Sequence, residues 1–349
     1  MEHVRFGIIG VGGVARLAYL PRLGKHPKAT IVAVADVSQD AVDRAMADYQ
    51  IQFGYTDYLE MLDKENLDAV AVCTPNKFHA PVTIAALQKG LHVLCEKPMA
   101  LNATEGREMA EAARQSGKTL AIAYRYRHKP TSQAAKQVID SGELGEIYAV
   151  RVQGLRRRGI PSWGVFTNKE LQGGGALVDF GVHLLDLALW LIGNPRAVEV
   201  MGMTSQRLGT RPNVNIWGPW NHEQFSVEDQ AMALIRLENG GALQLEVSWA
   251  LNIPEAVENI SISGTEGGIE LEPFSINKAA HGMLLTTTPN WMPNEKAVDW
   301  DAQFEDFIDA VINDRSPLVK PEEALRVSEI VDAIYQSSAT GAAVKLDQA

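Results

Sequence analysis

Two architectures in succession are predicted for this chain of 349 residues. The first is an α/β domain with a doubly wound parallel sheet over 1–124; the second is an α+β domain with a large, mostly antiparallel open sheet over 125–349. Three observations predict them. Short apolar runs alternate with helix-like stretches as far as Tyr124, as a parallel sheet with crossover helices requires. From Ile147 the runs lengthen and alternate apolar with polar residues, as half-buried antiparallel strands do. Before most of those strands comes a glycine-led apolar helix, Gly173 to Trp190, with a narrow polar stripe.

The elements of the first domain follow in order. Val4 to Ile9 is an apolar strand, and Gly10-Val11-Gly12-Gly13-Val14-Ala15 then opens a helix beginning at Arg16. In that strand-turn-helix setting, Gly10, Gly12 and Gly13 permit a tight turn and close approach to a pyrophosphate. Ala15 permits close helix packing, and the helix start at Val14 and Ala15 supplies amide donors: a Rossmann-type dinucleotide site. The next strand, Thr30 to Ala35, ends at Asp36, whose carboxylate can accept the adenosine ribose hydroxyls and would repel a 2′-phosphate. NAD is therefore expected in preference to NADP. Ser38 caps a helix to Tyr49, Thr56 caps a shorter one through Leu62, and Asp68 to Cys73 is a strand ending in Thr74-Pro75-Asn76. A helix His79 to Lys89, a strand Leu91 to Cys95, a helix Thr104 to Ser116 and a strand Thr119 to Tyr124 complete the alternation. Ligands of such sheets sit beyond the carboxyl ends of the strands, which carry Asp36, Thr74 to Asn76, Glu96-Lys97-Pro98 and Tyr124-Arg125. Lys97 is either a solvated surface lysine or an electrostatic or proton-relay group beside a nicotinamide.

In the second domain, strands are expected over Ile147 to Gln153, Gln230 to Leu237, Ala242 to Ala250 and Asn259 to Ser263. Glu238 to Gly241 forms a hairpin turn, and helices run near Gln303 to Asn313 and Pro321 to Ser337, returning to the first domain. On the Gly173 to Trp190 helix, Asp179, His183, Asp186 and Trp190 share one face. Buried charges need partners, so the stripe faces a ligand or a polar network; a metal site is a third reading, without a third ligand at the right spacing. Arg156-Arg157-Arg158 either rims the pocket, where it could bind an anionic substrate group, or lies at the surface or a subunit interface. Trp163, Trp217 and Trp220 either stack on a sugar or pack loops.

Composition bounds the partners. Hydrophobic residues at 46% and charged residues at 21% describe a globular protein, and a net charge of −11 opposes non-specific binding to nucleic acid or anionic membrane. A small-molecule substrate is expected. Cys73 and Cys95 each end an apolar run and read as buried strand residues, which suits a reducing cytoplasm. Met1 to Gly7 has no leader pattern, and the two Asp and one His of the apolar helix argue against a membrane span.

With the glycine turn, Glu96-Lys97-Pro98 and Gly173-Gly174-Gly175-(x3)-Asp179-(x)-Gly181-(x)-His183-(x2)-Asp186 in order, the chain resembles the Gfo/Idh/MocA oxidoreductases over nearly its whole length. The resemblance implies a nicotinamide-dependent dehydrogenase acting on a secondary hydroxyl of a sugar, glycoside or inositol-like cyclitol. It places the catalytic roles on Lys97, Asp179 and His183. Thr74, Asn76, His79, Glu96 and Lys97 would line the cofactor, with Arg125 near the nicotinamide, and subunits would pair through the second sheet as a homodimer or homotetramer. Substrate contacts are expected from Arg125, Arg127, Arg156, Trp163, Asp179 and His183, with no metal. The family's Y-x-Y-R-F pattern reads Tyr124-Arg125-Tyr126-Arg127-His128 here, which leaves the substrate class open. Redox-neutral sugar chemistry with recycled NAD, and a non-catalytic NAD-binding protein, are the alternatives.

Overall fold

The computed structural model describes residues 2–294 and 297–346, so the outer domain limits expected at 1 and 349 lie outside the described residues. The chain divides into two compact units, Met1–Tyr124 with Trp300–Leu325, and Arg125–Asp299 with Arg326–Ala349.

The first unit is built on six strands: β1 Val4–Ile9, β2 Ala29–Ala35, β3 Phe53–Tyr55, β4 Ala69–Val72, β5 His92–Cys95 and β6 Leu120–Ile122. Their order is β3-β2-β1-β4-β5-β6, and every pairing is parallel. The order reverses between β1 and β4, which is where a doubly wound sheet opens its ligand crevice. Val4, Phe6 and Ile8 of β1 are fully buried in a core that includes Phe304, Phe307, Ile308 and Val311 of the helix Asp299–Ile312. Local physics adjusts two predicted helices. After the glycine turn the helix passes through a π-turn, Ala15–Tyr19, before closing over Leu20–Leu23. Pro21 has no N–H to give Leu17 O; Arg22 Nη1 donates to that carbonyl instead at 2.9 Å. The helix Tyr58–Lys64 is capped by Asp57 rather than Thr56, because the Asp57 carboxylate accepts from Leu59 N–H at 2.9 Å.

Among the described residues the second unit holds nine strands: β7 Ile147–Leu155, β8 Ala197–Ser205, β9 Gln230–Leu237, β10 Ala242–Ser248, β11 Val257–Gly264, β12 Gly268–Leu271, β13 Phe274–Ala280, β14 Met283–Thr287 and β15 Val344–Lys345. The order is β14-β13-β12-β11-β7-β10-β9-β8-β15, antiparallel except for the β10–β7 pair. The four predicted runs became β7, β9, β10 and β11. One face is apolar, with Val150, Val152, Val200, Ile235, Leu243, Leu245 and Val247 buried. The helix Val182–Leu191 packs on β7, and the turn before it packs on β10. The opposite face presents Met201, Met203 and Leu234 to solvent. The segment Lys169–Leu191 is long and apolar enough to cross a membrane, but 94% of its apolar window is buried inside the protein.

Candidate active site

In the first unit the crevice forms where β1 ends. Gly10 has φ +86°, and a Cβ there would stand 2.7 Å from Cys73 O, so only glycine lets β1 turn beside the end of β4. A Cβ on Gly12 or Gly13 would meet no protein atom within 4 Å. Asp36, directly after β2, binds this turn: its Oδ2 accepts from Val11 N–H at 2.9 Å and its Oδ1 from Ser38 N–H at 3.0 Å. The Thr74 hydroxyl, just past β4, is buried with no hydrogen-bond partner among the described residues. A glycine turn over a helix start, an acidic group after β2 and an unsatisfied hydroxyl at the switch point suit a dinucleotide.

Two loops at the strand ends are tied together from below. His79 is fully buried, with Nδ1 2.7 Å from Pro98 O and Nε2 3.0 Å from Thr74 O. Burial drives its pKa from 6.5 down to about 4, so the ring is neutral and donates to one of the two carbonyls. His79 thus braces the Thr74–Asn76 and Glu96–Pro98 loops and does not line the crevice as the resemblance implied. Glu96 is buried, and its Oε1 accepts from Tyr19 Oη at 2.6 Å. Burial, then the Glu96 charge, raise the Tyr19 pKa well above its ordinary value, so it remains a donor. Phe304 packs edge-on to Tyr19 with ring centroids 4.9 Å apart. Helix Asp299–Ile312 therefore buttresses Tyr19, Tyr19 orients Glu96, and Glu96 precedes the half-buried Lys97, whose peptide to Pro98 is cis.

In the second unit two of the three glycines are explained by what they touch. A Cβ on Gly174 would lie 1.9 Å from Tyr335 Oη, and one on Gly175 would lie 2.1 Å from Glu228 O. Glu228 Oε1 accepts from Gly175 N–H at 2.8 Å, Leu177 N–H at 2.9 Å and Tyr335 Oη at 3.0 Å. Burial raises the Glu228 pKa, against the pull of the two amides. The carboxyl group clamps the start of the helix where its amides have no intrahelical partner. A π-turn over Leu177–Gly181 follows, with Val182 N–H bonded to Leu177 O, and Asp179 lies within it.

Asp179 and His183 are each held. Asp179 Oδ2 accepts from Trp249 Nε1 at 2.9 Å, and Arg156 Nη1 stands 3.7 Å from the same oxygen. Trp249 is fully buried, and its backbone N–H donates to Asp229 O at 2.9 Å. The His183 ring stacks on Tyr126, centroids 4.8 Å apart and planes at 19°. Tyr126 in turn carries the Lys129 ammonium 3.5 Å from its centroid. Burial lowers the Arg156 pKa, and Asp179 is the strongest opposing influence; the guanidinium lies over Phe180 at 4.3 Å and Trp217 at 4.5 Å. A carboxylate and an imidazole one turn apart, each fixed in orientation, can hold a hydroxyl and take its proton.

Arg127 is corrected. It was expected to touch substrate, but it is fully buried and bidentate to Asp186, Nε–Oδ2 2.8 Å and Nη2–Oδ1 2.6 Å, with Trp190 over its face at 5.8 Å. The polar stripe therefore divides: Asp179 and His183 form one group, and Asp186 and Trp190 secure Arg127. Arg125 pairs with Asp299 and lies 4.9 Å over Tyr126. Of the arginine triplet only Arg156 reaches Asp179; Arg157 donates to Pro254 O at 3.1 Å and Arg158 to Leu251 O at 2.6 Å. Sequence reasoning missed Trp249, Glu228 and Tyr335. An acidic pair, Glu228-Asp229, directly before an apolar strand was the available signal, because carboxylates there need several donors. Among the described residues no group of three or more His, Cys, Asp or Glu could hold a metal ion.

A dinucleotide-type crevice in one unit and an oriented Asp–His pair in the other define the class: a two-unit oxidoreductase. Residues 4–124 match the profile of the oxidoreductase family's NAD-binding Rossmann fold, and residues 136–346 match that of its C-terminal alpha/beta domain. The chain belongs to the Gfo/Idh/MocA oxidoreductase family. It is 37% identical to the D-glucoside 3-dehydrogenase of Escherichia coli K12, covering 98% of this chain and 97% of that protein. It is 28% identical to an NADP-dependent D-xylose 1-dehydrogenase of Haloferax volcanii, covering 98% and 99%. Among solved structures it resembles a levoglucosan dehydrogenase in complex with NADH and levoglucosan, with TM-score 0.85, 24% identity and coverage of 99% and 100%.

Proposed function

We propose that the protein reversibly oxidises a secondary hydroxyl of a sugar, glycoside or cyclitol, and that its substrate is a glucoside. The observation that carries this reading is the fixed pair of Asp179, bonded to Trp249, and His183, stacked on Tyr126. Glucoside is favoured by the 37% identity to an enzyme of that name over nearly all of both chains. The dinucleotide, when bound, supplies the hydride acceptor. His183 takes the proton of the reacting hydroxyl, Asp179 orients that hydroxyl or its neighbour, and Lys97 of Glu96-Lys97-Pro98 is assigned the catalytic lysine role that stabilises developing charge. Gly10, Gly12, Gly13, Val14 and Ala15 would hold the pyrophosphate, Thr74, Asn76 and Glu96 would hold the rest of the dinucleotide, and Arg125 is the residue assigned to its nicotinamide end.

Asp36 supports NAD over NADP, because a carboxylate already accepting two amide donors repels a 2′-phosphate. Subunits pair through the open face of the second sheet, where Met201 lies directly opposite Leu234 and both are exposed. Two buried free cysteines suit a reducing cytoplasm. The test is NAD reduction by methyl glucosides in the parent and in Asp179→Asn and His183→Ala. Loss of turnover in both variants with retained NAD binding supports the reading, and turnover near the parent's in either contradicts it.

A further inference from the structure

Across Arg156 from the Asp179 carboxylate stands a pair of tryptophans that the chemistry above does not use. Trp163 is 53% exposed and Trp217 37% exposed, with ring centroids 5.5 Å apart and planes at 47°. Exposed tryptophans on surface loops are ordinarily mobile, but here the loops are tied. Asn215 Oδ1 accepts from Ile160 N–H at 3.0 Å, its Nδ2 donates to Ile160 O at 2.8 Å, and Ile216 N–H donates to Arg158 O at 3.2 Å. Ser162 bonds to Trp217 O. Farther along, Asp229 Oδ2 accepts the amides of Arg207, Leu208 and Gly209 at 2.8, 2.6 and 2.6 Å, and Trp220 Nε1 donates to Gly209 O at 2.7 Å. Two tilted indole faces are thus presented to solvent on a braced frame. Holding them there forgoes the burial that large aromatic rings ordinarily gain.

Their place relative to the pair at Asp179 is fixed by one side chain. The Arg156 guanidinium touches the Trp217 face at 4.5 Å and stands 3.7 Å from Asp179 Oδ2. Its charge is answered by that carboxylate, and Arg157 and Arg158 turn to the carbonyls of Pro254 and Leu251. Across Arg156 from Asp179 lies, therefore, an aromatic wall whose contacting positive charge is already paired. Such a wall suits the C–H face of a neutral ring and gives a phosphate or carboxylate little.

We propose that Trp163 and Trp217 form a subsite for a neutral ring-shaped aglycone, such as a second pyranose, of a glucoside whose reacting ring is held at Asp179 and His183. This rests on the glucoside reading above. The enzyme then prefers glucosides with a ring aglycone to methyl glucosides, and both to glucose 6-phosphate.

Two measurements test it. In the first, kcat/KM with NAD is compared for cellobiose and methyl β-glucoside in the parent, Trp163→Ala and Trp217→Leu. The cellobiose-to-methyl-glucoside ratio is expected to fall about 10-fold in each variant, the loss of one good stacking contact. An unchanged ratio in both overturns the subsite while turnover of methyl glucoside leaves the dehydrogenase reading standing. The second does not need turnover: cellobiose is titrated against the intrinsic fluorescence of the folded parent and variants, with NAD present. A saturable emission change in the parent that is lost in Trp163→Ala supports the subsite even if no glucoside is oxidised, an outcome that would sink the activity alone. A parent whose emission ignores cellobiose, or responds equally to glucose 6-phosphate, overturns the subsite. Trp163→Ala guards against misfolding of Trp217→Leu, since Trp163 is the more exposed of the two.

Discussion

Replacing Arg127 with Met removes a guanidinium that makes two charge-assisted bonds to Asp186, at 2.8 and 2.6 Å, with both side chains fully buried. Asp186 would be left charged without its counter-ion and far from water, a loss of roughly 3–5 kcal/mol. In a protein domain of this size each kcal/mol shifts the melting temperature by about 2–4 °C, so a fall of roughly 6–20 °C is expected in a calorimetric or fluorescence melt. Arg127→Met with Asp186→Leu removes both charges and should recover most of the loss, because a buried pair gains little over well-packed apolar groups. Turnover should fall in the single variant as well: Arg127 follows Tyr126, and Asp186 shares the helix of His183, so the pair holds the stacked rings in register. A single variant melting within about 2 °C of the parent, or a double variant no better than the single, would refute the reasoning.

His183→Ala should lower kcat about 100-fold or more while calorimetric NAD binding stays intact; near-normal turnover would remove His183 from the chemistry. Asp36→Ala should weaken NAD and improve NADP, read from the ratio of their KM values, and a parent that already prefers NADP would contradict the role given to Asp36. Gly174→Ala places a Cβ 1.9 Å from Tyr335 Oη and should destabilise by about 1–3 kcal/mol in urea melts, an effect that Tyr335→Phe relieves only in part because the ring remains. His79 titrates near pH 4 when folded against 6.5 in its ordinary state, so the folded protein binds fewer protons between those values. Stability is full above pH 6.5 and falls as pH drops towards 4, by about 3 kcal/mol in all, and His79→Gln should flatten that slope in urea titrations.

Five of the six strands of the first sheet were legible because their signals are local; the three half-buried residues of β3, Phe53–Tyr55, carry no apolar run and were missed. Gly10 must turn beside Cys73, Ser38 caps its helix, and each buried strand is a short apolar run with a turn residue after it. The second sheet was legible only where alternation was strict. β8 carries Gly202 and exposed methionines, and β15 has two residues, so neither has a pattern that a single sequence distinguishes from loop. The Asp179, His183 and Asp186 stripe was readable from helical spacing, but its division was not. Arg127 lies 59 positions before Asp186, Trp249 lies 70 after Asp179, and such partners are set by tertiary packing rather than by periodicity. The π-turns were hidden for the same reason: Pro21 announces one in hindsight, whereas that at Leu177–Gly181 has no residue signal that we can identify.

The most direct measurement is NADH formation at alkaline pH with excess NAD, across methyl glucosides, disaccharides, inositols, free hexoses and phosphorylated sugars. A saturable rate with the neutral glucosides, lost in both Asp179→Asn and His183→Ala, is the expected result. No rate with any neutral sugar or cyclitol, while calorimetry records NAD binding to the same preparation, would contradict the dehydrogenase reading.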